Sequence, residues 1–529
     1  MTNVLEFLEN SAKIHSNKTV VEDVEKSYTY EQFVRLAKTI GSNISKSQGV
    51  RKPVVVFMEK SADALAAFMG VVYAGCFYVM VNPEHPTVRI NQILKVSEAE
   101  YLITTPEYSE KLAEVEYSGK VVNLDDLMKG EVDENKLAEI REQSQDIDPL
   151  YCNFTSGSTG VPKGVLVGHR SVIDFMEYFT DLFNITENDI IGNQAPFDFD
   201  VSVKDIYSTF KTGATMVVIP KKLFSIPMQL LDYLCERKIT TLIWAVSALC
   251  MITTLKGFTY KVPTDINKVL FSGEAMPIKH LNQWKKYLPN VDYINLYGPT
   301  EITCNCTYYR IDRDFEKGDV LPIGQAFPNE KVFLLDDEDK EITKADEPGE
   351  LCVSGTALAL GYYNNPEQTA KAFVQNPLNK AYMETIYRTG DLAYYNEAGE
   401  LCFAGRKDFQ IKHMGHRIEL EEIEAAINGC NNVTRACCVF DTKRNKIVAF
   451  YVGEADKDEI HAYLSEKLPV FMIPNVFNQI DEMPLTQNGK IDRKSLLESC
   501  GGRRKWKKIK WLKQHQNLKH LFMFLIVMY

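Results

Sequence analysis

Residues 155–164 read Thr155-Ser156-Gly157-Ser158-Thr159-Gly160-Val161-Pro162-Lys163-Gly164. Small hydroxyl residues and three glycines allow backbone N–H groups to approach a polyphosphate closely, and Lys163 adds a positive charge. A Walker A loop would need glycine at Pro162, and a hydrolase nucleophile elbow would need glycine at Ser156. A Gly/Ser-rich run alone is more often a flexible turn. Ten residues of this composition, ending in Pro-Lys-Gly, favour a phosphate-binding loop.

Apolar strands alternate with helical stretches on both sides of this loop. The predicted strands lie at residues 53–58, 101–104, 214–219, 241–244, 268–271 and 293–296. Nearly continuous apolar strands separated by helices are typical of parallel sheets covered on both faces. From about residue 330 the pattern changes to hairpin-like pairs, 331–335 with 349–354 and 392–395 with 400–403. A smaller α+β unit follows, with a helix predicted at 419–427.

The sequence therefore predicts an α/β protein with a large N-terminal domain, a β-rich subdomain and a small α+β C-terminal domain. We place the N-terminal domain, with its β-rich part, at 1–407, the C-terminal domain at 408–498 and a tail at 499–529. Residues 501–529 contain eight Lys or Arg and no Asp or Glu, and the apolar run from Leu521 to Met528 has eight residues, too few to span a bilayer. This tail is predicted to lie outside the fold, either as an amphipathic surface-binding segment or as an extension without function.

Composition excludes several classes of function. Among 529 residues, 71 Asp and Glu exceed 60 Lys and Arg, so a general nucleic-acid binder is not expected. Twelve cysteines without regular spacing argue against a disulfide framework or zinc cluster and favour a reducing cytoplasm. The amphipathic N-terminus shows no secretory signal, and no transmembrane segment is expected.

Two further clusters carry candidate binding residues. Asn295-Leu296-Tyr297-Gly298-Pro299-Thr300-Glu301 ends a predicted strand, where ligands bind in open α/β sheets. It offers an aromatic face, a hydroxyl and a carboxylate for a hard cation, although Gly-Pro is also an ordinary turn. Asp391, in Tyr387-Arg388-Thr389-Gly390-Asp391-Leu392, can accept from two ribose hydroxyls; alone it would be read as a helix cap or hairpin residue.

These three clusters, in this order, resemble the adenylate-forming superfamily of acyl-CoA synthetases, firefly-type luciferases and nonribosomal peptide synthetase adenylation domains. The resemblance covers roughly residues 10–498. Further matching stretches are Ser27-Tyr28-Thr29-Tyr30-Glu31, Gly349-Glu350-Leu351-Cys352-Val353-Ser354-Gly355, Gly361-Tyr362-Tyr363-Asn364, Gly405-Arg406-Lys407-Asp408 and Gly489-Lys490-Ile491-Asp492-Arg493.

Within that superfamily the sequence looks most similar to amino-acid-activating members, especially D-alanine–D-alanyl carrier protein ligases. The segment that carries this similarity is Ala195-Pro196-Phe197-Asp198-Phe199-Asp200-Val201-Ser202-Val203-Lys204-Asp205-Ile206-Tyr207. The resemblance implies that Asp200 pairs with the substrate α-ammonium, since a cation in a dry pocket needs a counter-charge. Val201, Lys204, Trp244, Ser272 and Cys304 are expected to line the same pocket.

The resemblance also implies roles for the ATP-binding residues and for Mg²⁺. Thr155, Ser156, Gly157, Ser158, Thr159, Gly160 and Lys163 would close over the β- and γ-phosphates. Adenine, ribose and the α-phosphate would be held by Asn295, Leu296, Tyr297, Gly298, Pro299, Thr300, Asp391, Phe403, Ala404, Gly405 and Arg406. Glu301 would help to bind Mg²⁺, and Lys490 would be the catalytic residue, bridging the attacking carboxylate and the phosphate oxygens.

The resemblance implies that 1–407 is the core that binds ATP and the substrate and that 408–498 is a mobile lid domain. Asp408 matches the hinge about which this domain rotates in the family between two half-reactions, adenylation and thioester formation. The loop 412–417 would then face the active site when the thioester forms, with Gly415 suited to close approach of a pantetheine arm. His413 and His416 could be read as bases, but the family requires no histidine at either place, and a structural role is favoured.

Two departures leave the substrate open. D-alanine–D-alanyl carrier protein ligases typically have a cysteine where this sequence has Ser272 and an apolar residue where it has Lys204. Lys204 indicates either an acidic or hydroxylated substrate side chain or a lysine that reaches out to solvent. The predicted activity is ATP-dependent activation of D-alanine or another small or acidic amino acid, with transfer to a phosphopantetheinylated carrier protein in trans. The alternative is an acyl-CoA ligase for a non-amino carboxylic acid. The enzyme is expected to be a free-standing monomer.

Overall fold

The computed structural model describes residues 1–157, 161–486 and 491–501. The chain divides into two units, one of Met1–Glu422 with Glu466–Phe471, and one of Ile423–Ser465 with the described residues from Met472 onward. Residues 408–422 thus belong to the first unit, and the predicted domain boundary at Asp408 remains a prediction. The part of the tail after residue 501 lies outside the described residues. No helix in the described part of the chain is long and apolar enough to cross a membrane.

Two large, mostly parallel sheets form most of the first unit. The seven-stranded sheet has the order Gly361–Tyr362, Lys163–Gly168, Pro149–Thr155, Phe77–Val81, Pro53–Phe57, Tyr101–Thr104, Lys120–Asn123. The nine-stranded sheet has the order Gln325–Ala326, Thr307–Arg310, Asp292–Tyr297, Lys268–Ser272, Thr241–Ala245, Ile190–Asn193, Thr215–Val218, Thr19–Glu22, Ser27–Thr29. Antiparallel pairs occur only at the ends of these two sheets. All six strands expected between residues 53 and 296 are present, with bounds shifted by one residue at most.

Helices cover the faces of these sheets. In the first unit they are Leu5–Ile14, Tyr30–Ser45, Ala62–Tyr73, Thr87–Ser97, Ser109–Ala113, Leu124–Leu127, Glu134–Glu142, His169–Leu182, Ser202–Thr212, Pro227–Glu236, Val246–Thr254, Ile278–Tyr287 and Pro366–Ala372. The strand Pro53–Phe57 shows the result, because all five of its residues are buried. Val54 and Val56 pack into one apolar cluster, and Val55 and Phe57 into another. Such a strand needs apolar residues at every position, which explains why the sequence shows a continuous run there.

A third, antiparallel sheet forms the β-rich part of the first unit. Its strands are Glu341–Ile342, Glu330–Leu335, Gly349–Gly355, Thr385–Tyr395, Phe373–Gln375 and Leu401–Arg406, and they include both expected hairpin-like pairs. The hairpin Gln410–His413 and His416–Glu419 ends this unit.

The second unit contains the strands Val433–Asp441, Lys446–Gly453 and Val476–Gln479 and the helices Lys457–Ser465 and Arg493–Gly501. The chain enters it within the helix Leu420–Asn428, whose Leu420, Ile423 and Ile427 are buried as expected. These elements confirm the predicted α/β class and the α+β character of the smaller unit.

Candidate active site

The strand Asp292–Tyr297 positions the candidate adenine-binding residues at its carboxyl end. Asn295 and Tyr297 are buried, and a 3₁₀ turn, Thr300–Ile302, follows Gly298 and Pro299. A Cβ atom at Gly298 would lie 2.4 Å from the Cα atom of Asn305, so this position admits no larger residue. The Asn295 side-chain amide donates to the carbonyl oxygen of Pro322 at 2.8 Å, which holds this residue in place.

Four predicted nucleotide-binding residues come together around Asp391. The Tyr297 hydroxyl donates to one oxygen of the Asp391 carboxylate, and the Arg406 guanidinium donates to the other. The Phe403 ring lies 6.2 Å from the Tyr297 ring. Asp391 is only 1% exposed, and each of its two carboxylate oxygens accepts a hydrogen bond from one of these side chains. Each oxygen keeps a second lone pair, with which it could accept from a ribose hydroxyl.

The candidate phosphate loop connects two paired strands. Thr155 ends one strand and lies opposite Lys163, which begins the next. The Ser156 hydroxyl donates to the carbonyl oxygen of Arg417 at 2.7 Å. The Lys163 ammonium lies 5.7 Å from the centre of the Tyr362 ring, and burial lowers its pKa. Ser158, Thr159 and Gly160 fall outside the described residues, as does Lys490.

Glu301 is the predicted magnesium ligand, and its surroundings test that prediction. It is fully buried; Arg417 donates to both of its oxygens at 2.8 and 3.0 Å, and the Tyr362 hydroxyl donates at 2.7 Å. Burial alone would raise the pKa of Glu301, but Arg417 holds it below its usual value. Mg²⁺ often uses one carboxylate with substrate phosphates, so the donor fits the ion, while Arg417 and the ion would compete for it. Over the described residues, no group of three or more His, Cys, Asp or Glu could hold a metal by itself.

The candidate substrate pocket lies at the start of the helix Ser202–Thr212. The Lys204 ammonium donates to the Asn305 side-chain oxygen at 2.7 Å and to the Ser272 hydroxyl at 3.2 Å. The Cys304 thiol lies 3.1 Å from the carbonyl oxygen of Asp200. Lys204 is 0% exposed, so the alternative in which it reaches out to solvent is wrong.

Asp200 and Lys204 place opposite charges in this pocket. Burial raises the pKa of Asp200, against a hydrogen bond from Thr300 and the positive charges of Lys204 and Lys412. Burial likewise lowers the pKa of Lys204, against the negative charge of Asp200. Each charge is thus costly where it stands, and a ligand that supplied the opposite charge to each would be stabilised. Val201, 5% exposed, adjoins them at the helix start.

Trp244 is not brought to this pocket. Side chains of a strand alternate between the two faces of the sheet. In Thr241–Ala245, Trp244 packs into an apolar cluster on one face, where its indole N–H donates to the carbonyl oxygen of Gly192 at 2.7 Å. Ile243 packs with helix Ser202–Thr212 on the other. Ala245 shares the face of Ile243, so the Trp244 side chain lies on the face of the sheet opposite to the helix that carries Asp200 and Lys204.

The hairpin of Gln410–His413 and His416–Glu419 lies against residues at or just beyond the ends of two strands of the nine-stranded sheet. The Gly415 backbone N–H donates to the Glu274 carboxylate at 2.7 Å, and a Cβ atom at Gly415 would lie 3.1 Å from that of Ala245. Gly415 has a φ of +82°, a conformation that favours glycine. The Lys412 ammonium lies 5.2 Å from the centre of the Tyr297 ring. The loop 412–417 thus contacts residues at the candidate pocket, and its role in thioester formation stays a prediction.

Several contributors could not be found from the sequence. Asn305 contacts Lys204 only because Thr303 and Cys304 adopt positive φ angles, of 48° and 77°, which turn the chain back. Glu274 and Arg417 are ordinary charged residues whose roles depend on contacts more than 110 positions apart. Glu274 does follow a predicted strand end, which is the one signal that marked it.

The chain belongs to the AMP-binding enzyme family. Residues 8–363 match the AMP-binding enzyme family and residues 422–490 match the AMP-binding enzyme C-terminal domain. The chain is therefore a member of the adenylate-forming superfamily that its motifs resemble.

Known proteins agree with this assignment. The chain is 32% identical over 499 residues to tyrocidine synthase 1 of Brevibacillus parabrevis, an alignment that covers 93% of this chain and 44% of that protein. It thus spans less than half of that relative. The adenylation domain AlmE of Vibrio cholerae, solved with glycyl-adenosine-5′-phosphate, has a TM-score of 0.81 at 21% identity, covering 94% of this chain and 98% of AlmE. Holo-PA1221, which contains adenylation and carrier domains, has a TM-score of 0.78 at 23% identity, covering 94% and 84%. These structures share the fold.

Proposed function

We propose that the chain uses ATP to activate an amino acid as an aminoacyl-adenylate and transfers it to the phosphopantetheine thiol of a separate carrier protein. Membership of the AMP-binding enzyme family and 32% sequence identity to tyrocidine synthase 1 support the adenylation chemistry. The observation that carries the amino-acid assignment is the pair of opposite charges, Asp200 and Lys204, buried at one helix start. The preferred substrate is an amino acid with an acidic side chain.

Asp200 would bind the substrate α-ammonium. Its carboxylate is buried, and its pKa is raised because burial outweighs the hydrogen bond from Thr300. The ammonium of an incoming amino acid would supply the positive counter-charge that a buried carboxylate needs. A substrate without an amino group would leave Asp200 uncompensated.

Lys204 would bind the substrate side chain. Both of its hydrogen-bond partners, Ser272 and Asn305, are uncharged. An ammonium has three donors, so one remains for a carboxylate on the substrate. A small apolar side chain such as that of D-alanine would leave the charge buried, which disfavours such substrates.

The nucleotide would be held by the residues gathered around Tyr297 and Asp391, and its phosphates by the loop 155–163. Mg²⁺ would be held by Glu301 and the phosphates, and would neutralise charge on them. Lys490 would stabilise the charge that develops on the α-phosphate, because preorganised positive groups act at that point of a phosphoryl substitution.

The direct test is ATP–pyrophosphate exchange across all L- and D-amino acids and the matching non-amino dicarboxylic acids. We expect the fastest exchange with an acidic amino acid. Best exchange with alanine or serine would keep amino-acid activation but contradict the assigned side chain. Exchange with the non-amino acids alone would support an acyl-CoA ligase instead.

Asp200→Asn tests the ammonium site. Breaking a buried ion pair costs about 3–5 kcal/mol, so kcat/KM for amino-acid-dependent exchange should fall by about 10²–10⁴. ATP binding, measured by calorimetry, should hardly change. The control is Asp189→Asn, because Asp189 is also buried and ion-paired, 2.8 Å from Lys268. Asp189 directly precedes the strand Ile190–Asn193, whereas Asp200 lies beyond the other end of that strand. Equal exchange by both variants would remove the amino-acid assignment.

A further inference from the structure

His85 and Asp198 form a hydrogen-bonded pair that the proposed chemistry does not yet use. The His85 Nε2 atom lies 2.9 Å from the Asp198 Oδ2 atom. Both side chains are largely buried, at 17% and 18% exposed. Burial alone would raise the pKa of Asp198, but the His85 ring holds it below its usual value, so Asp198 is an anion. A carboxylate in this place fixes the imidazole tautomer and stabilises its protonated form.

The pair lines a cavity that adjoins the candidate substrate pocket. The cavity has a volume of about 60 Å³, and among its lining residues are His85, Asp198, Phe199, Thr300 and His416. Its lining also includes Thr155 and Ser156 of the candidate phosphate loop and Thr300, which the resemblance assigns to nucleotide binding. The cavity therefore lies beside residues that are expected to hold the adenylate.

His85 has the geometry of a proton acceptor. Its Nε2 atom is engaged by Asp198, while its Nδ1 atom makes no hydrogen bond with the described residues. Among the described residues, His85 is the one hydrogen-bond partner of the Asp198 side chain, through Oδ2, and Oδ1 has none. A carboxylate–imidazole pair of this kind activates a nucleophile by taking its proton.

The second histidine of the cavity is less suited to this role. The His416 ring stacks on the Phe471 ring, with centres 3.7 Å apart, and lies 5.4 Å from the Phe199 ring. Burial lowers the pKa of His416 to about 4, so it stays neutral near pH 7 and is a weak base. It supplies a wall rather than a proton acceptor.

Charged groups around His85 come from several elements. Asp198 precedes the helix Ser202–Thr212, and Arg89 lies on the helix Thr87–Ser97, where it is ion-paired with Glu422 at 3.0 Å. His416 and Arg417 belong to the hairpin, and Arg417 is ion-paired with Glu301. Asp198 is the one carboxylate among the described residues that line this cavity, and the two arginines that line it are each paired with a glutamate outside the lining.

We propose that His85, positioned by Asp198, is the general base for the thiol in thioester formation. The thiol proton passes to Nδ1 of His85, and the sulfur attacks the carbonyl carbon of the aminoacyl-adenylate. The C–S bond forms, the bond between that carbon and the phosphate oxygen breaks, and AMP leaves with the electron pair. His85 then returns the proton to water. The inference rests on the proposed function and assigns residues to its second step.

The test compares both half-reactions in His85→Gln and Asp198→Asn. Thioester formation is measured with preformed aminoacyl-adenylate and free pantetheine across pH 5.5–9.5, and adenylation by pyrophosphate exchange. At pH 7 we expect His85→Gln to lose about 10²–10³ in thioester rate and little in exchange. The loss should shrink above about pH 8.5, where the thiol ionises unaided.

The pH profiles separate a base from a structural role. The wild-type thioester rate should rise through an imidazole inflection that His85→Gln lacks. Asp198→Asn should move that inflection to lower pH, because the imidazolium loses its anionic partner. His280→Gln, altering a histidine bonded to Thr253 at 2.6 Å elsewhere in the unit, is the matched control and should leave both profiles unchanged.

Two outcomes are distinguishable. Normal exchange with an unchanged thioester pH profile in His85→Gln would overturn the role of His85 and leave the proposed function intact. Wild-type protein that catalyses no exchange with any amino acid would overturn the proposed function, and this inference with it.

Discussion

At the scale of the residue, Lys204 shows how one buried charge can select a substrate. It is fully buried, and Ser272 and Asn305, to which it donates hydrogen bonds, are neutral. Lys204→Met should therefore shift the exchange profile from acidic towards small neutral amino acids, because the unpaired ammonium that repels apolar substrates is gone. Methionine cannot donate to Ser272 and Asn305 and removes a cation near Asp200, so thermal unfolding is measured alongside to establish that the variant is folded. An unchanged substrate profile in a stable variant would contradict the role of Lys204.

Some residues of the candidate site could be located from the sequence, and others could not. Tyr297, Asp391, Phe403 and Arg406 lie together as expected because their motifs are local and end strands. Trp244 was misplaced because a strand buried on both faces gives no alternation of polar and apolar residues from which to read its orientation. Asn305 depends on an unusual turn and has no such signal.

At the scale of the element, the strands between residues 53 and 296 were predictable from their apolar composition and length. The hairpin of Gln410–His413 and His416–Glu419 was predicted only as a loop, because its mostly polar sequence does not alternate between polar and apolar residues as a half-buried strand does. Its position depends on long-range contacts, such as those of Gly415 with Glu274 and of Arg417 with Glu301.

Gly415→Ala tests whether this hairpin loop serves the thioester step. A side chain at a φ of +82° costs about 1–2 kcal/mol, and the new Cβ atom would press on Ala245 at 3.1 Å. Thioester formation should slow by at least tenfold, while exchange persists. Gly399→Ala is the matched control, because Gly399 has a φ of +76° with nothing within 4 Å of the added Cβ. Equal effects of the two variants on thioester formation would show that strain alone is responsible.

At the scale of the whole molecule, the order of motifs predicted the fold class and the family, whereas the division into units follows from packing. The sequence pattern assigned residues 408–422 to the smaller domain, whereas their contacts group them with residues 1–407. Sequence composition marks where a linker could be, but the contacts that the chain makes decide which unit a segment joins.

The last prediction is that Lys490 and the loop 412–417 serve separate half-reactions through rotation at Asp408. Charge develops on the α-phosphate during adenylation, so Lys490→Ala should slow exchange by about 10²–10³ and largely spare transfer from preformed adenylate. Asp408→Pro should do the reverse, because proline fixes φ near −65° and restricts the preceding residue. Asp408 also accepts hydrogen bonds from Arg406 at 2.6 and 2.7 Å, so Asp408→Asn is the control that weakens this pair without stiffening the backbone. Measuring exchange and thioester formation on all three variants decides the matter: if each change slows both steps alike, the two steps do not use separate arrangements of this chain.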